Sequence, residues 1–292
     1  MTPYLFISNH RDIILDTSLL NKCLFESGQA MTTSAIGDNL IKKPFLKTLS
    51  RLTRNFTVKR KLPARELLES SKVISAFIQQ SLWRENRSVW IAQREGRTKD
   101  GHDETHKGVL KMIAMSAPEG MSEMDYMARL NIVPVSMSYE YDPTDALKMP
   151  ELLAKLRSEP YVKGENEDFI SLLSGIIGMK KRIHIALGPV LNEEIARIGE
   201  QEKGANRQFN ALAALIDKTI ISNYRLWPTK YIAYDLLHGT EQFREKYSDA
   251  ERTFFIERFT KNVDQQDPLA KESYLKMYAQ PVINQLEFQT AD

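Results

Sequence analysis

Tyr4-Leu5-Phe6-Ile7-Ser8-Asn9-His10-Arg11-Asp12-Ile13-Ile14-Leu15-Asp16 is the stretch on which the fold reading turns. An apolar, β-favouring run from Tyr4 to Ile7 stops at Ser8-Asn9, a histidine follows, and an amphipathic segment begins. A strand that hands a polar group to the start of a helix is the repeating unit of an α/β sheet. The same form recurs at Val89-Trp90-Ile91-Ala92-Gln93-Arg94-Glu95-Gly96-Arg97-Thr98-Lys99-Asp100-Gly101, where an apolar strand runs into charge and glycine.

Working outward, the periodicity predicts further strands at 34–36, 55–58, 131–139 and 182–187, and helices at 12–26, 44–52, 63–82 and 107–115. Pro44 and Pro63 each fall in a first helical turn, where the missing N–H costs nothing. Pro134 predicts an edge strand or a strand end. The first strand begins within four residues of Met1 with nothing to cover its edge, which leads us to expect an N-terminal portion upstream.

Beyond residue 192 the pattern is helical, with helices predicted at 209–224, 250–262 and 266–287. Leu226-Trp227-Pro228 and Tyr231-Ile232-Ala233-Tyr234 read as an aromatic link. The expected fold class is α/β, a mostly parallel central sheet flanked by helices, with a C-terminal helical extension. The expected organisation is an α/β domain over 1–191 and an extension over 192–292 packed on it.

The bulk numbers agree with a folded globular chain: 292 residues, 42% hydrophobic and 27% charged. A net charge of +2 gives no reason to expect a nucleic-acid partner, so any basic site must be local. No apolar run approaches the ~18–20 residues of a membrane span. The single cysteine, Cys23, excludes an internal disulfide and suits a reducing compartment. Its helical, apolar setting predicts a buried thiol.

In parallel sheets, ligands sit beyond the carboxyl ends of the strands. His10, Arg60 and Glu95-Gly96-Arg97 all follow predicted strands, so neighbouring parallel strands would bring them together. Taken alone, His10 reads either as a helix cap or as a general base oriented by a carboxylate, Asp12 or Asp16. Glu95-Gly96-Arg97-Thr98-Lys99 reads either as a charged turn or as an anion site: glycine admits close backbone approach, Arg97 offers a bidentate fork and Lys99 a point charge. Lys59-Arg60-Lys61 reads as a second cationic group or a solvated run.

Lys42, Lys43, Lys47 and Arg51 read as a solvated face or as a contact with anionic headgroups. His102 and His106 have zinc-helix spacing, but Asp103 stands where that motif has glutamate and no third ligand is evident, so no metal is expected. The chain has no Gly-x-Gly-x-x-Gly, no P-loop and no nucleophile-elbow serine, which argues against nucleotide enzymes and serine hydrolases.

Together these residues resemble the glycerol-phosphate and lysophosphatidate acyltransferase superfamily. Asn9-His10 with Asp16 is similar to its first motif, Phe56-Thr57-Val58-Lys59-Arg60 to its second, Glu95-Gly96-Arg97 to its third and Ile132-Val133-Pro134-Val135 to its fourth. The resemblance covers roughly 4–140, and the whole chain looks like a bacterial branch with a C-terminal helical extension. Two spacings depart from the family: one extra residue separates His10 from Asp16, and Arg97 follows Gly96 directly, so Arg97 and Lys99 could exchange roles. The family usually carries an N-terminal element before the first motif, and the expectation is that it lies upstream of Met1.

The resemblance implies an O-acyltransferase that carries a fatty acyl group from acyl-CoA or acyl-carrier protein to a lysophospholipid or glycerol-phosphate hydroxyl. His10 and Asp16 would be catalytic; Arg60, Glu95, Gly96, Arg97 and Lys99 would bind the acceptor. No cofactor beyond the co-substrate is implied. The expected location is cytoplasmic, peripheral on the inner face of the membrane. Two other readings remain open: transfer to a non-phosphorylated lysolipid such as an aminolipid, and an inactive lipid-binding protein.

Overall fold

The computed structural model describes residues 2–60 and 62–291. Lys61, the last of the predicted basic run, lies outside the described residues. Six strands form one sheet: β1 (Leu5–Ser8), β2 (Thr33–Gly37), β3 (Asn55–Val58), β4 (Val89–Ala92), β5 (Ile132–Tyr139) and β6 (Ile183–Leu187). Their order is β3-β2-β4-β1-β5-β6. All neighbours are parallel except β5 and β6, which run antiparallel.

The helices before β6 are α1 (Leu15–Glu26), α2 (Pro44–Leu52), α3 (Ala64–Trp83), α4 (Lys107–Ala114), α5 (Glu123–Ala128), α6 (Asp145–Leu156) and α7 (Glu167–Ile177). After β6 come α8 (Asn192–Gln201), α9 (Ala205–Ser222), α10 (Pro228–His238), α11 (Asp249–Asn262) and α12 (Pro268–Ala291). Among the described residues, no helix is long and apolar enough to cross a membrane.

Strand β1 is buried along its whole length because both faces of a parallel sheet are covered. Leu5 and Ile7 join Val89, Ile91 and Ile132 against α3, α4, α5, α8 and α9. Phe6 points the other way, with Trp90, Val133 and Val135, towards Leu20 and Leu24 of α1. A separate apolar cluster joins Tyr141, Met149 and Leu152 to α10, α11 and α12. Helix α11 starts at a capping box, in which Ser248 and Glu251 exchange side-chain to backbone hydrogen bonds.

Four expectations are corrected. β1 is an interior strand, covered on both edges by β4 and β5. Pro134 also lies in an interior strand. Its carbonyl accepts from Gly188 N at 2.8 Å, just past the end of β6. A residue's N–H and C=O point to the same side of a strand, so the N–H that Pro134 lacks would face a point where the β6 ladder has already stopped. Cys23 is exposed, because α1 turns Leu20 and Leu24 inwards and not the thiol. Tyr231–Tyr234 is not a link; it is the middle of α10, whose first residue is Pro228.

Candidate active site

The parallel pairing of β1 with β4 aligns Ser8 with Ala92, so the segments that follow leave the sheet side by side. Thr98 N donates to His10 O at 2.9 Å and ties the two segments together. Asn9 is fully buried and pins this corner. Its Oδ1 accepts from Met137 N at 2.7 Å, and its Nδ2 donates to Met137 O at 3.1 Å and to Asp103 Oδ2 at 3.0 Å.

Asp103 is the hub of the corner. It also accepts from the Arg11 guanidinium and, at 3.0 Å, from Thr98 Oγ1. Burial opposes the Arg11 charge, but Asp103 and the other nearby acids outweigh it and hold the guanidinium protonated. Arg11 also lies over the Tyr224 ring, 5.3 Å from its centre. Arg11, Asp12, Tyr224, Lys230 and Tyr278 share the wall of a cavity of about 20 Å3, so α10 and α12 close the back of this corner.

His10 Nδ1 lies 2.8 Å from Asp16 Oδ2. The Asp16 carboxylate is fully buried and also accepts from Arg11 N at 2.7 Å, Asp12 N at 3.1 Å and the Tyr139 hydroxyl at 2.9 Å. Burial, reinforced by Asp16, pushes the Tyr139 hydroxyl far up, so it stays a donor. An acceptor carboxylate at Nδ1 selects the tautomer whose Nε2 carries the free lone pair. The Trp90 ring meets the imidazole edge-on at 5.6 Å between centres.

Asp12 is occupied elsewhere: its Oδ1 accepts from Ile14 N at 3.0 Å and Leu15 N at 2.9 Å in the turn that leads into α1. Burial, then Asp16, pushes its carboxyl up. The extra residue between His10 and Asp16 falls in the Arg11–Ile14 loop, ahead of the helix that starts at Leu15.

Gly96 sits at φ +74°, a conformation that admits glycine without strain. It turns Arg97 inwards, where the guanidinium donates to Thr144 Oγ1 at 3.2 Å and to Ser171 Oγ at 2.8 Å. Both partners are neutral. Among the described residues no carboxylate forms an ion pair with Arg97, which leaves its charge for a ligand. Lys99 instead pairs with Glu151. Arg60 Nε lies 3.8 Å from Glu95 Oε1, a loose contact between the exits of β3 and β4. Glu95, Gly96, Arg97 and Lys99 line a cleft of about 450 Å3, together with Arg94, Glu151, Lys155 and Tyr161. His10 and Arg60 stand outside the lining of this cleft.

Residues 1–138 match the family model described as Acyltransferase. This part of the chain belongs to the glycerol-3-phosphate/lysophosphatidate acyltransferase family. The protein is therefore an enzyme that moves acyl groups. No curated sequence matches it.

Several residues that shape this corner carry no motif signal. Asp103 lies inside a His-x-x-x-His spacing that draws attention to the wrong side chains. His102 faces outwards, 3.8 Å from Glu104, while Asp103 faces in. Among the described residues no three potential ligands cluster as a metal site. Tyr139 could have been found, since it is the last residue of β5 and strand ends carry function in such sheets. Thr144 and Ser171 could not, because hydroxyls in helical segments are too common to single out.

Proposed function

We propose that the protein acylates a hydroxyl of a lysophospholipid or glycerol-phosphate acceptor, using acyl-CoA or acyl-carrier protein as donor. His10 Nε2 takes the hydroxyl proton as the oxygen attacks the thioester carbonyl. Asp16 holds the ring in the required tautomer and stabilises the imidazolium. The tetrahedral adduct collapses with cleavage of the C–S bond, and the leaving sulfur takes the proton back from His10. The products are an ester and a free thiol, and no acyl-enzyme forms. The donor is a co-substrate; the scheme draws on no resident cofactor or metal.

Arg97 would bind the acceptor phosphate and so position the attacking oxygen. Lys99, Arg60, Glu95 and Gly96 would shape that subsite. Lipid substrates imply peripheral contact with a membrane, which we place on the cytoplasmic side. The observation that carries the reading is the pairing of His10 with a buried carboxylate beside an arginine that, among the described residues, forms no ion pair.

The test is turnover of labelled acyl-CoA and lysophosphatidate by purified wild type and His10→Ala. The variant is expected to lose turnover; equal rates would remove His10 from the mechanism. An aminolipid acceptor would instead place a carboxylate on Arg97, and a side-by-side acceptor screen separates the two.

A further inference from the structure

Helix α2 turns Leu46 and Ser50 inwards and leaves Phe45, Leu49 and Leu52 exposed, at positions i, i+4 and i+7 of one stripe. Helix α7 does the same: Ser171, Leu172 and Gly175 are buried, while Ile170, Leu173, Ile176 and Ile177 are exposed. Leu52 is 76% exposed and Ile177 82%, unusual values for side chains of this size. The two helices touch where the Phe45 and Phe169 rings meet at 83° and 6.1 Å between centres. Both stripes start at that contact, since Leu173 and Ile177 lie four and eight residues beyond Phe169. The ring contact joins the two stripes at their N-terminal ends.

The face has a consistent charge. Between Asp38 and Glu66 the chain holds no acidic residue and nine basic ones. Lys42, Lys47 and Arg51 are exposed on or beside α2, and the Lys43 ammonium lies 4.4 Å from the centre of the Phe169 ring. Of the two acids in the first turn of α7, Asp168 is engaged by Lys163 and Asn39, and Glu167 accepts from Tyr161.

The inner side of α7 belongs to the site. Ser171 accepts from Arg97, and Gly175 packs so closely on Asp12 that a Cβ would not fit. The apolar face is therefore one helix diameter, about 10 Å, from the corner that holds Arg97.

We propose that the α2–α7 face docks on an anionic lipid bilayer, with its leucines, isoleucines and Phe45 in the acyl boundary and the α2 cations among the headgroups. This deepens the lipid-acceptor reading and rests on it for its purpose, not for its physics. Anionic lipid fits the face better than a second copy of the chain does, because two copies would set the same unneutralised cations against each other. Docking would set the Arg97 corner at the membrane surface, where a lipid acceptor's headgroup lies.

The test is co-sedimentation of the full chain with phosphatidylcholine vesicles, with and without phosphatidylglycerol. Wild type is expected to bind the anionic vesicles, and less at high salt. Lys42→Glu with Lys47→Glu should weaken that binding at least about 10-fold. Leu49→Glu with Ile177→Glu should abolish it. Undiminished binding by either pair of substitutions, or no binding by wild type, overturns the proposal. So does a wild-type dimer at vesicle-free concentrations that Leu49→Glu with Ile177→Glu converts to monomer. Turnover of a short-chain, monomeric acceptor is the control: all variants should retain wild-type rates, which shows that they fold. Loss of wild-type turnover on every acceptor would instead count against the proposed reaction and leave the vesicle result standing.

Discussion

Asp16 and Asp145 are buried alike and serve different ends. Each carboxylate is at most 1% exposed and each is saturated with donors. Asp145 takes Arg258 Nε and a second guanidinium nitrogen at 2.8 Å each, Tyr274 at 2.6 Å and Tyr278 at 2.7 Å. Burial opposes the Arg258 charge, but Asp145 outweighs it and keeps the guanidinium protonated at any working pH. The cluster cannot exchange a proton; it fastens α6 to α11 and α12. Asp16 meets an imidazole instead of a guanidinium. Its partner is a ring with two nitrogens, of which Asp16 engages only Nδ1 and leaves Nε2 free to act. The choice of cation separates a structural tie from a candidate acid–base centre.

The most direct way to break that contrast is His10→Ala. General-base removal should lower kcat by about 10²–10⁴-fold with little change in unfolding midpoint. A variant that unfolds early but turns over normally when folded would reverse the assignment. Asp145→Ala should do the opposite. It strands the partly buried Arg258 charge and the buried Tyr274 and Tyr278 hydroxyls, and should cost about 3–5 kcal/mol in urea unfolding, with near-normal kcat per folded molecule.

Arg97→Ala should have a smaller effect, on binding. It should raise KM for a phosphorylated acceptor by about 10- to 100-fold, corresponding to about 1.5–3 kcal/mol for hydrogen bonds to a charged group. An equal rise with an acceptor that lacks phosphate would sink the anion role.

Asp217 sharpens the comparison, since among the described residues no cation or imidazole pairs with it. It accepts from Thr105 N and Oγ1, and burial pushes its carboxyl from 3.8 up to about 6. Between those values the folded chain keeps a proton that the unfolded chain has released, so stability falls as pH rises through that window. Relative to Asp217→Asn, which keeps the acceptor but does not titrate, wild type should lose about 1–3 kcal/mol from pH 4 to pH 6. Parallel stability–pH curves for the two proteins would show that Asp217 does not titrate in this range.

Much of the fold was legible in local pattern. The short apolar runs at Leu5–Ser8, Asn55–Val58 and Val89–Ala92 are strands at almost the expected bounds. Pro44 does open α2. The errors share one cause. Whether β1 is an edge, whether Pro134 marks an edge strand and whether Cys23 is buried all depend on what lies alongside, and periodicity does not report neighbours. No motif reaches residues 140–181, yet Thr144 just before α6 and Ser171 of α7 supply the hydroxyls that hold Arg97, and α6 supplies the Glu151 that takes up Lys99.

The sequence by itself determined that the chain alternates strand and helix, that His10 and the Glu95-Gly96-Arg97 turn leave strands in the same sense, and that the chain resembles an acyltransferase. Those properties are local: burial periodicity, turn chemistry and motif order. Only the tertiary structure decided that Asp16 and not Asp12 faces His10, that Asp103 locks Asn9, Arg11 and Thr98 into one corner, and that Arg97 rests on neutral hydroxyls while Lys99 pairs with Glu151. These are matters of which charges are brought within a few ångströms of each other after long loops close. At such distances in a buried corner, partner identity outweighs residue type in setting what a side chain can do.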